Sequence, residues 1–350
     1  MARAYKIAVL SGDGIGPEVI EAAVKVLDAV QKKLKDFKLT LLLGEAGYNC
    51  IEKYGTNLPR ETLELLRQTH ACLKGPMTTP EEPGAPLSAA VTIRKTFDLY
   101  ANVRPCKTLP KVWSLKPGID LVILRENTEG LYFGREFEVS PGKGVAMRVI
   151  TQKASERIAR LAFELALKRK RHVTCVHKRN ILRVTDGIFR EAVFGFADKY
   201  PAVKVDEVYV DAMAMRLIKE PEKFDVIVTT NMFGDILSDE AAQLVGGLGL
   251  AAGANVGDRY GMFEPVHGSA PKYTGQNKAN PIATILAAKM MMEYLNEAEA
   301  ASLIEQAVEK VLKEGKVRTY DLGGKSTTQE VSDSIASKIL ESDTLPRVQE

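Results

Sequence analysis

Long apolar runs are missing from this 350-residue sequence, and the N-terminal stretch reaches only from Ile7 to Leu10 before Ser11-Gly12-Asp13. That is too short for a secretory core, and no segment approaches the roughly 20 apolar residues of a membrane span. A soluble, unprocessed protein with no membrane partner is expected. Cysteine is scarce: Cys50, Cys72, Cys106 and Cys175 lie far apart and make no CxxC. Neither a disulfide framework nor a zinc site is indicated, and a reducing cytoplasm is the expected setting. Charge of one sign is lacking too. Lys and Arg number 48 against 45 Asp and Glu, a net +3, so nucleic acid is not an expected partner. The densest basic cluster, Lys168 to Arg171, ends an apolar-periodic segment and reads as cations at a helix C-terminus.

What is present is an ordinary globular composition, 45% hydrophobic and 27% charged, in a chain long enough for two domains. Tyr5 to Leu10, the glycines that follow and Pro17-Glu18-Val19-Ile20 read as strand, loop and helix with proline in the first turn. Short β-branched runs at Leu121 to Leu124, Val173 to Val176 and Val226 to Thr229 alternate with helical stretches at Ala154 to Leu167, Asp235 to Leu244 and Ala298 to Leu312. This is the α/β pattern. Glu136 to Arg148, broken by Pro141, Gly142 and Gly144, reads as an antiparallel excursion or arm.

Three constellations carry chemistry. Asp235 and Asp239 share a helical face by their spacing of four, and oxygen-only donors suit Mg²⁺ or Mn²⁺. The competing reading is acid favoured by a helix N-terminus. Asp211, after a short strand, reads alone as a surface or capping acid. Arg94, Arg104 and Arg125 suit a di- or tricarboxylate if they converge, and surface ion pairs if they do not. Gly12-Asp13-Gly14-Ile15-Gly16 fails the dinucleotide fingerprint because its third glycine follows the second after one residue, so no Rossmann fold is assigned. Lys178 and Tyr132 are proton-transfer candidates by chemistry only.

Taken together, these segments resemble the β-decarboxylating dehydrogenase family of isocitrate, homoisocitrate, 3-isopropylmalate and tartrate dehydrogenases, from Gly12 to about Val331. The most specific block runs from Asn231-Met232-Phe233-Gly234-Asp235 through Ser238-Asp239, Gly246, Gly247 and Gly249 to Asn255-Val256-Gly257. The resemblance implies an α/β, isopropylmalate dehydrogenase-like two-domain fold with a mixed sheet, unlike the Rossmann type. Residues 1–98 and 250–350 would form the large domain with both termini, and 99–249 a small domain with the dimer interface and metal aspartates. It implies a homodimer, or a larger assembly, with shared active sites. Arg94, Arg104, Arg125 and Ser88 would bind substrate, and Asp211, Asp235 and Asp239 the metal. Lys178 would act as base and Tyr132 as proton donor, with Lys178 and Asp211 reaching across the interface. A catalytically dead regulatory subunit is the non-enzymatic alternative, but such subunits usually lose one of these groups.

The stretch Phe263-Glu264-Pro265-Val266-His267-Gly268-Ser269-Ala270-Pro271, followed by Lys272-Tyr273, resembles the family's cofactor loop. NAD-linked members typically have an acid at the Lys272 position, and lysine matches a 2′-phosphate instead. Tyr320 also resembles the NADP-linked pattern, although Gly323-Gly324 stand where a family arginine is expected. NADP is therefore the expected cofactor and NAD the alternative. Thr78, Glu264, His267, Gly268, Ser269, Ala270, Lys272, Tyr273, Asn280, Tyr320 and Asp321 make up the implied nucleotide site. The segment from Gly84 to Ile93 sets substrate choice in the family. Ser88 resembles the serine that receives a distal carboxylate, and Ala90 replaces a frequent asparagine and leaves room. Isocitrate and homoisocitrate are the expected substrates, with 3-isopropylmalate the alternative. Arg179 departs from the small residue usual after the lysine.

Overall fold

The β-branched runs become strands buried on both faces. In the computed structural model, which describes residues 3–80, 82 and 85–342, the chain opens with β1 (Arg3–Leu10), α1 (Gly16–Leu34), β2 (Phe37–Gly44), α2 (Asn49–Tyr54), α3 (Arg60–Arg67), β3 (Ala71–Lys74) and α4 (Ala89–Thr96). It continues through β4 (Ala101–Lys107), β5 (Asp120–Glu126), β6 (Glu136–Ser140), β7 (Lys143–Ala146), α5 (Gln152–Leu167), β8 (His172–His177), α6 (Thr185–Phe194), β9 (Lys204–Tyr209) and α7 (Val210–Lys219). Then follow β10 (Val226–Thr229), α8 (Asn231–Gln243), β11 (Ala252–Val256), β12 (Gly261–Pro265), α9 (Ile282–Tyr294), α10 (Ala298–Glu314) and α11 (Thr328–Glu341). Gly84, the first residue of the segment expected to set substrate choice, lies outside the described residues.

Among the described residues the main sheet has ten strands, in the order β2-β1-β3-β12-β11-β4-β5-β10-β8-β9. Neighbours are parallel from β2 to β12 and from β5 to β9, and antiparallel from β12 through β11 and β4 to β5. The two parallel blocks therefore run in opposite senses, and the sheet is mixed. β3, β10 and β12 are buried at every residue, as parallel strands covered on both faces must be.

Alternation along a strand sends its side chains to opposite layers. Val226 and Val228 pack with Ile158 and Phe163 of α5, while Ile227 packs with Met213 of α7 and Leu237 of α8. Full burial of such side chains stabilises by roughly 1.5–3 kcal/mol each. In the other block α1, α9, α10 and α11 share one core with β1, β11 and β12, so both ends of the described chain lie there. The sheet runs unbroken between the chain regions expected to form separate domains, because β11 pairs with β4.

Two local results refine the sequence reading. Helix α8 starts at Asn231 rather than Asp235. Gly234 lies inside it because a Cβ there would come within 2.6 Å of the Arg125 Cβ. The excursion is a separate antiparallel pair, β6 and β7, exposed throughout, with Gly142 at φ +75° in its turn. No helix of the described residues is long and apolar enough to cross a membrane.

Candidate active site

Antiparallel pairing sets Arg125 on β5 opposite Asn102 on β4, two residues from Arg104, so the register brings both arginines toward α8. Arg125 is 1% exposed. Its Nε and Nη2 donate to Asn231 Oδ1 at 2.9 and 2.7 Å, and its Nη1 donates to Asp235. Arg104 donates from Nε to Asn102 Oδ1 at 2.8 Å and from Nη1 to Ser238 Oγ at 2.6 Å and Asp239 Oδ1 at 3.1 Å. Its Nη2 lies 3.3 Å from Asp235 Oδ1. Tyr132 donates its hydroxyl to the other Asp235 oxygen, under a guanidinium 4.9 Å from its ring centre.

The first turn of α8 carries no acid, so a helix-terminus preference does not account for Asp235 and Asp239. Their environments separate them. Burial pushes the Asp235 carboxyl up, but Arg125 and Arg104 outweigh it and hold it below the ordinary value. For Asp239 burial prevails over Arg104 and, with the Asp235 charge, raises the carboxyl. Burial, then the hydrogen bond to Asp235, raises the Tyr132 phenol.

Arg94, on α4, donates from Nη2 to Glu264 Oε1 at 2.9 Å. The other Glu264 oxygen lies 2.7 Å from Lys74 Nζ. Asn255 donates to Glu264 at 2.7 Å and accepts from Asn102 at 2.6 Å and Asn127 at 3.0 Å. A buried polar chain therefore links Arg94 to Arg104. Burial opposes ionisation of Glu264, but Lys74 and Arg94 prevail and hold it far below the usual carboxylate range. Ser88, Ala90, Arg94 and Arg104 line an open cleft of about 160 Å³ together with His267 and Gly268. Lys74 also lines it and was missed from sequence, since one lysine ending a buried strand has no signature.

Lys178 and Asp211 stand apart from this cluster. Lys178 Nζ lies 2.7 Å from Asp211 Oδ1, and that contact holds the Asp211 carboxyl below its usual value. Among the described residues no three His, Cys, Asp or Glu side chains gather as a metal set. One chain thus joins Asp235 and Asp239 but leaves Asp211 with Lys178. Arg179 turns toward α6, its Nη2 3.9 Å from Glu191.

The loop after β12 is braced by the glycine-rich turn. Ile15 N donates to Ser269 O at 2.9 Å, a Cβ on Gly14 would collide with that oxygen at 2.0 Å, and Thr78 Oγ1 lies 2.6 Å from Ser269 Oγ. Asp13 accepts from the main chain of Tyr48, Asn49 and Thr78 at 2.8–3.2 Å, so this turn ties three loops together. Ala270 takes a left-handed φ of +39°. His267 is partly buried, its Nε2 is out of solvent with no partner, and desolvation lowers its pKa. Lys272 Nζ sits 4.8 Å over the Tyr273 ring, which lies 5.6 Å from the Tyr320 ring. Asn280 donates to Asp321 at 2.9 Å nearby.

The family model described as isocitrate/isopropylmalate dehydrogenase matches residues 6–335. A 3-isopropylmalate dehydrogenase of Methanothermobacter thermautotrophicus is 49% identical over 338 residues, 95% of this chain and 98% of that one. A homoisocitrate dehydrogenase of Methanocaldococcus jannaschii is also 49% identical, over 95% of this chain and 97% of its own. The crystal structure of isocitrate dehydrogenase from Methylococcus capsulatus superposes with a TM-score of 0.91 at 43% identity, covering 96% of this chain and all of that one.

Proposed function

Because this chain belongs to the isocitrate/isopropylmalate dehydrogenase family of decarboxylating enzymes, we propose that it oxidises isocitrate, homoisocitrate or both to the 2-oxo acid and CO₂, with NADP as preferred hydride acceptor. The observation that carries the substrate reading is the lining of the cleft, where Ser88 and Ala90 stand with Arg94 and Arg104. A small hydroxyl and two guanidiniums suit a distal carboxylate better than a branched alkyl group. The second reading, 3-isopropylmalate, rests on Leu87, an apolar side chain 65% exposed beside Ser88, and on the equal identity to an isopropylmalate enzyme.

Asp235 and Asp239, with Asp211 from a second subunit, offer the oxygen-only donors that fit Mg²⁺ or Mn²⁺. Bound there, the ion would acidify the substrate hydroxyl and stabilise the charge left by CO₂. Arg94, Arg104 and Arg125 hold the substrate carboxylates. Lys178 takes the hydroxyl proton, and Tyr132, kept protonated by its raised pKa, returns one to carbon. The unpartnered His267 Nε2, the Asn280–Asp321 pair and the group of Lys272, Tyr273 and Tyr320 fit a dinucleotide, with Lys272 facing a 2′-phosphate.

A homodimer is part of the reading. It would deliver Lys178 and Asp211 to the neighbour's site, and it would give exposed Ile181, Val184, Met215, Ile218 and Ile236, as well as the hairpin's exposed Phe137 and Val139, a surface to cover them. Residues 1–98 with 250–350, and 99–249, would be the two bodies that close on substrate. The test is kcat/KM with Mg²⁺, pairing isocitrate, homoisocitrate and 3-isopropylmalate with NADP and NAD. Highest efficiency with either tricarboxylate and NADP is expected. Dominance of 3-isopropylmalate with NAD would overturn both specificity assignments.

A further inference from the structure

Asp186, in the first turn of α6, has no solvent exposure, and both its oxygens are committed. Oδ2 accepts the main-chain N–H of Lys178 at 2.6 Å, and Oδ1 accepts Arg148 Nη1 at 2.5 Å. Arg148, just beyond the β6–β7 hairpin, also donates to Thr185 Oγ1 at 2.7 Å and Thr230 Oγ1 at 3.1 Å, and lies 5.3 Å from the Phe233 ring. Thr230 is the cap position of α8, yet its hydroxyl makes no capping bond to the helix. One ion pair, its carboxylate fully buried and its guanidinium partly so, therefore joins the main chain of Lys178 to the start of the helix bearing Asp235 and Asp239. The β8–β10 pairing of Val176 with Thr229 joins the same two segments through the sheet, and the ion pair adds a side-chain link beyond its end.

A buried ion pair adds little net stability, because desolvation roughly cancels the attraction, but it fixes geometry. Lys178 carries its ammonium on a flexible stem, and its side chain is 24% exposed. Its reach is therefore set by where its backbone is held. We propose that Asp186 and Arg148 are positioning residues that fix the Lys178 main chain relative to α8, so that the ammonium is presented in register with the substrate hydroxyl. The idea rests on the proposed role of Lys178 as base. A misplacement of about 1 Å in such a group can cost on the order of 100-fold in rate.

Two variants separate positioning from folding. Asp186→Asn keeps the shape and an acceptor for the Lys178 N–H but removes the charge facing Arg148. Thr230→Val removes only the Arg148 link, at a hydroxyl that no capping bond uses. Measured per folded enzyme, kcat should fall on the order of 10- to 100-fold in Asp186→Asn and about 3- to 10-fold in Thr230→Val, with KM changed less than about 3-fold. Reaction of Lys178 with an amine-selective reagent, followed by peptide mass spectrometry against the other lysines, should change in both. Unchanged kcat in Thr230→Val overturns the proposal, as does a loss carried by KM alone. Should Asp186→Asn fail to fold, Thr230→Val still decides. A Lys178→Ala enzyme that kept turnover would sink the base assignment instead, and the labelling experiment would still report whether the clamp orients Lys178.

Discussion

Glu264 and Lys272 belong to one strand-and-loop unit, yet they live under different rules. Glu264 is 7% exposed and meets Lys74, Arg94 and Asn255. Lys272 is exposed and meets the ring of Tyr273. On the side proposed to bind the acid, Glu264, Arg94, Arg104 and Arg125 all have fixed partners, which would hold the arginines in place before substrate arrives. On the side proposed to bind the nucleotide, the groups that would read a phosphate sit in water, where contacts are weak and replaceable. The first arrangement supplies preorganisation, and the second leaves specificity open to single substitutions.

The largest break in this contrast should come from Glu264→Gln, which leaves Lys74 and Arg94 as uncompensated buried cations. A loss of about 3–5 kcal/mol of unfolding free energy in urea is expected, with loss of turnover as Arg94 moves. The sign with pH follows from the depressed carboxyl. Its contribution is complete above the unfolded value near 4.5 and is lost as pH falls through the lower folded value. The difference between wild type and variant should therefore begin to shrink below about pH 4.5 and go on shrinking as the pH falls further. A loss below about 1 kcal/mol at neutral pH would place Glu264 in the same weakly coupled class as Lys272.

The same contrast explains what the sequence made legible. The spacing of Asp235 and Asp239 is local, and so is the α/β alternation, so both could be read from residue order. That three arginines converge could not, because it depends on the β4–β5 register and on α4 crossing toward β12. The Lys74–Glu264 pair joins the ends of two buried strands with no spacing to betray it. The start of α8 lies four residues before the expected Asp235, and the glycine inside its first turns is there to admit Arg125. The spacing of Gly12 to Gly16 departs from the dinucleotide fingerprint in the sequence itself, but its work as a brace for Ser269 needs the fold.

A smaller effect is expected on the exposed side. Lys272→Asp should leave stability within about 0.5 kcal/mol, as surface changes do. It should also shift the ratio of kcat/KM for NADP over NAD toward NAD by at least roughly 10-fold, through repulsion of the 2′-phosphate. An unchanged ratio would show that the nucleotide is read elsewhere, and would remove Lys272 as the specificity side of the contrast.

His267 lies between the two regimes and should give the smallest signal. Unlike Glu264 it is only partly buried, yet its Nε2 is out of solvent without a partner, and desolvation holds its pKa below the ordinary 6.5. Above that pH both folded and unfolded chains carry a neutral ring, and nothing depends on it. As pH falls below 6.5 the unfolded chain takes a proton that the folded chain resists, so stability declines until the folded value is passed. Between roughly pH 7.5 and 5.5, His267→Gln should remove on the order of 1 kcal/mol or less of the wild-type decline, read as a smaller drop in Tm. Parallel Tm curves for the two proteins would mean that the ring is solvated and belongs with Lys272. If a bound nucleotide supplies the missing partner to neutral Nε2, it should depress the pKa further and deepen the acid-side loss of the nucleotide's stabilising effect. The histidine would then report whether the loop is occupied.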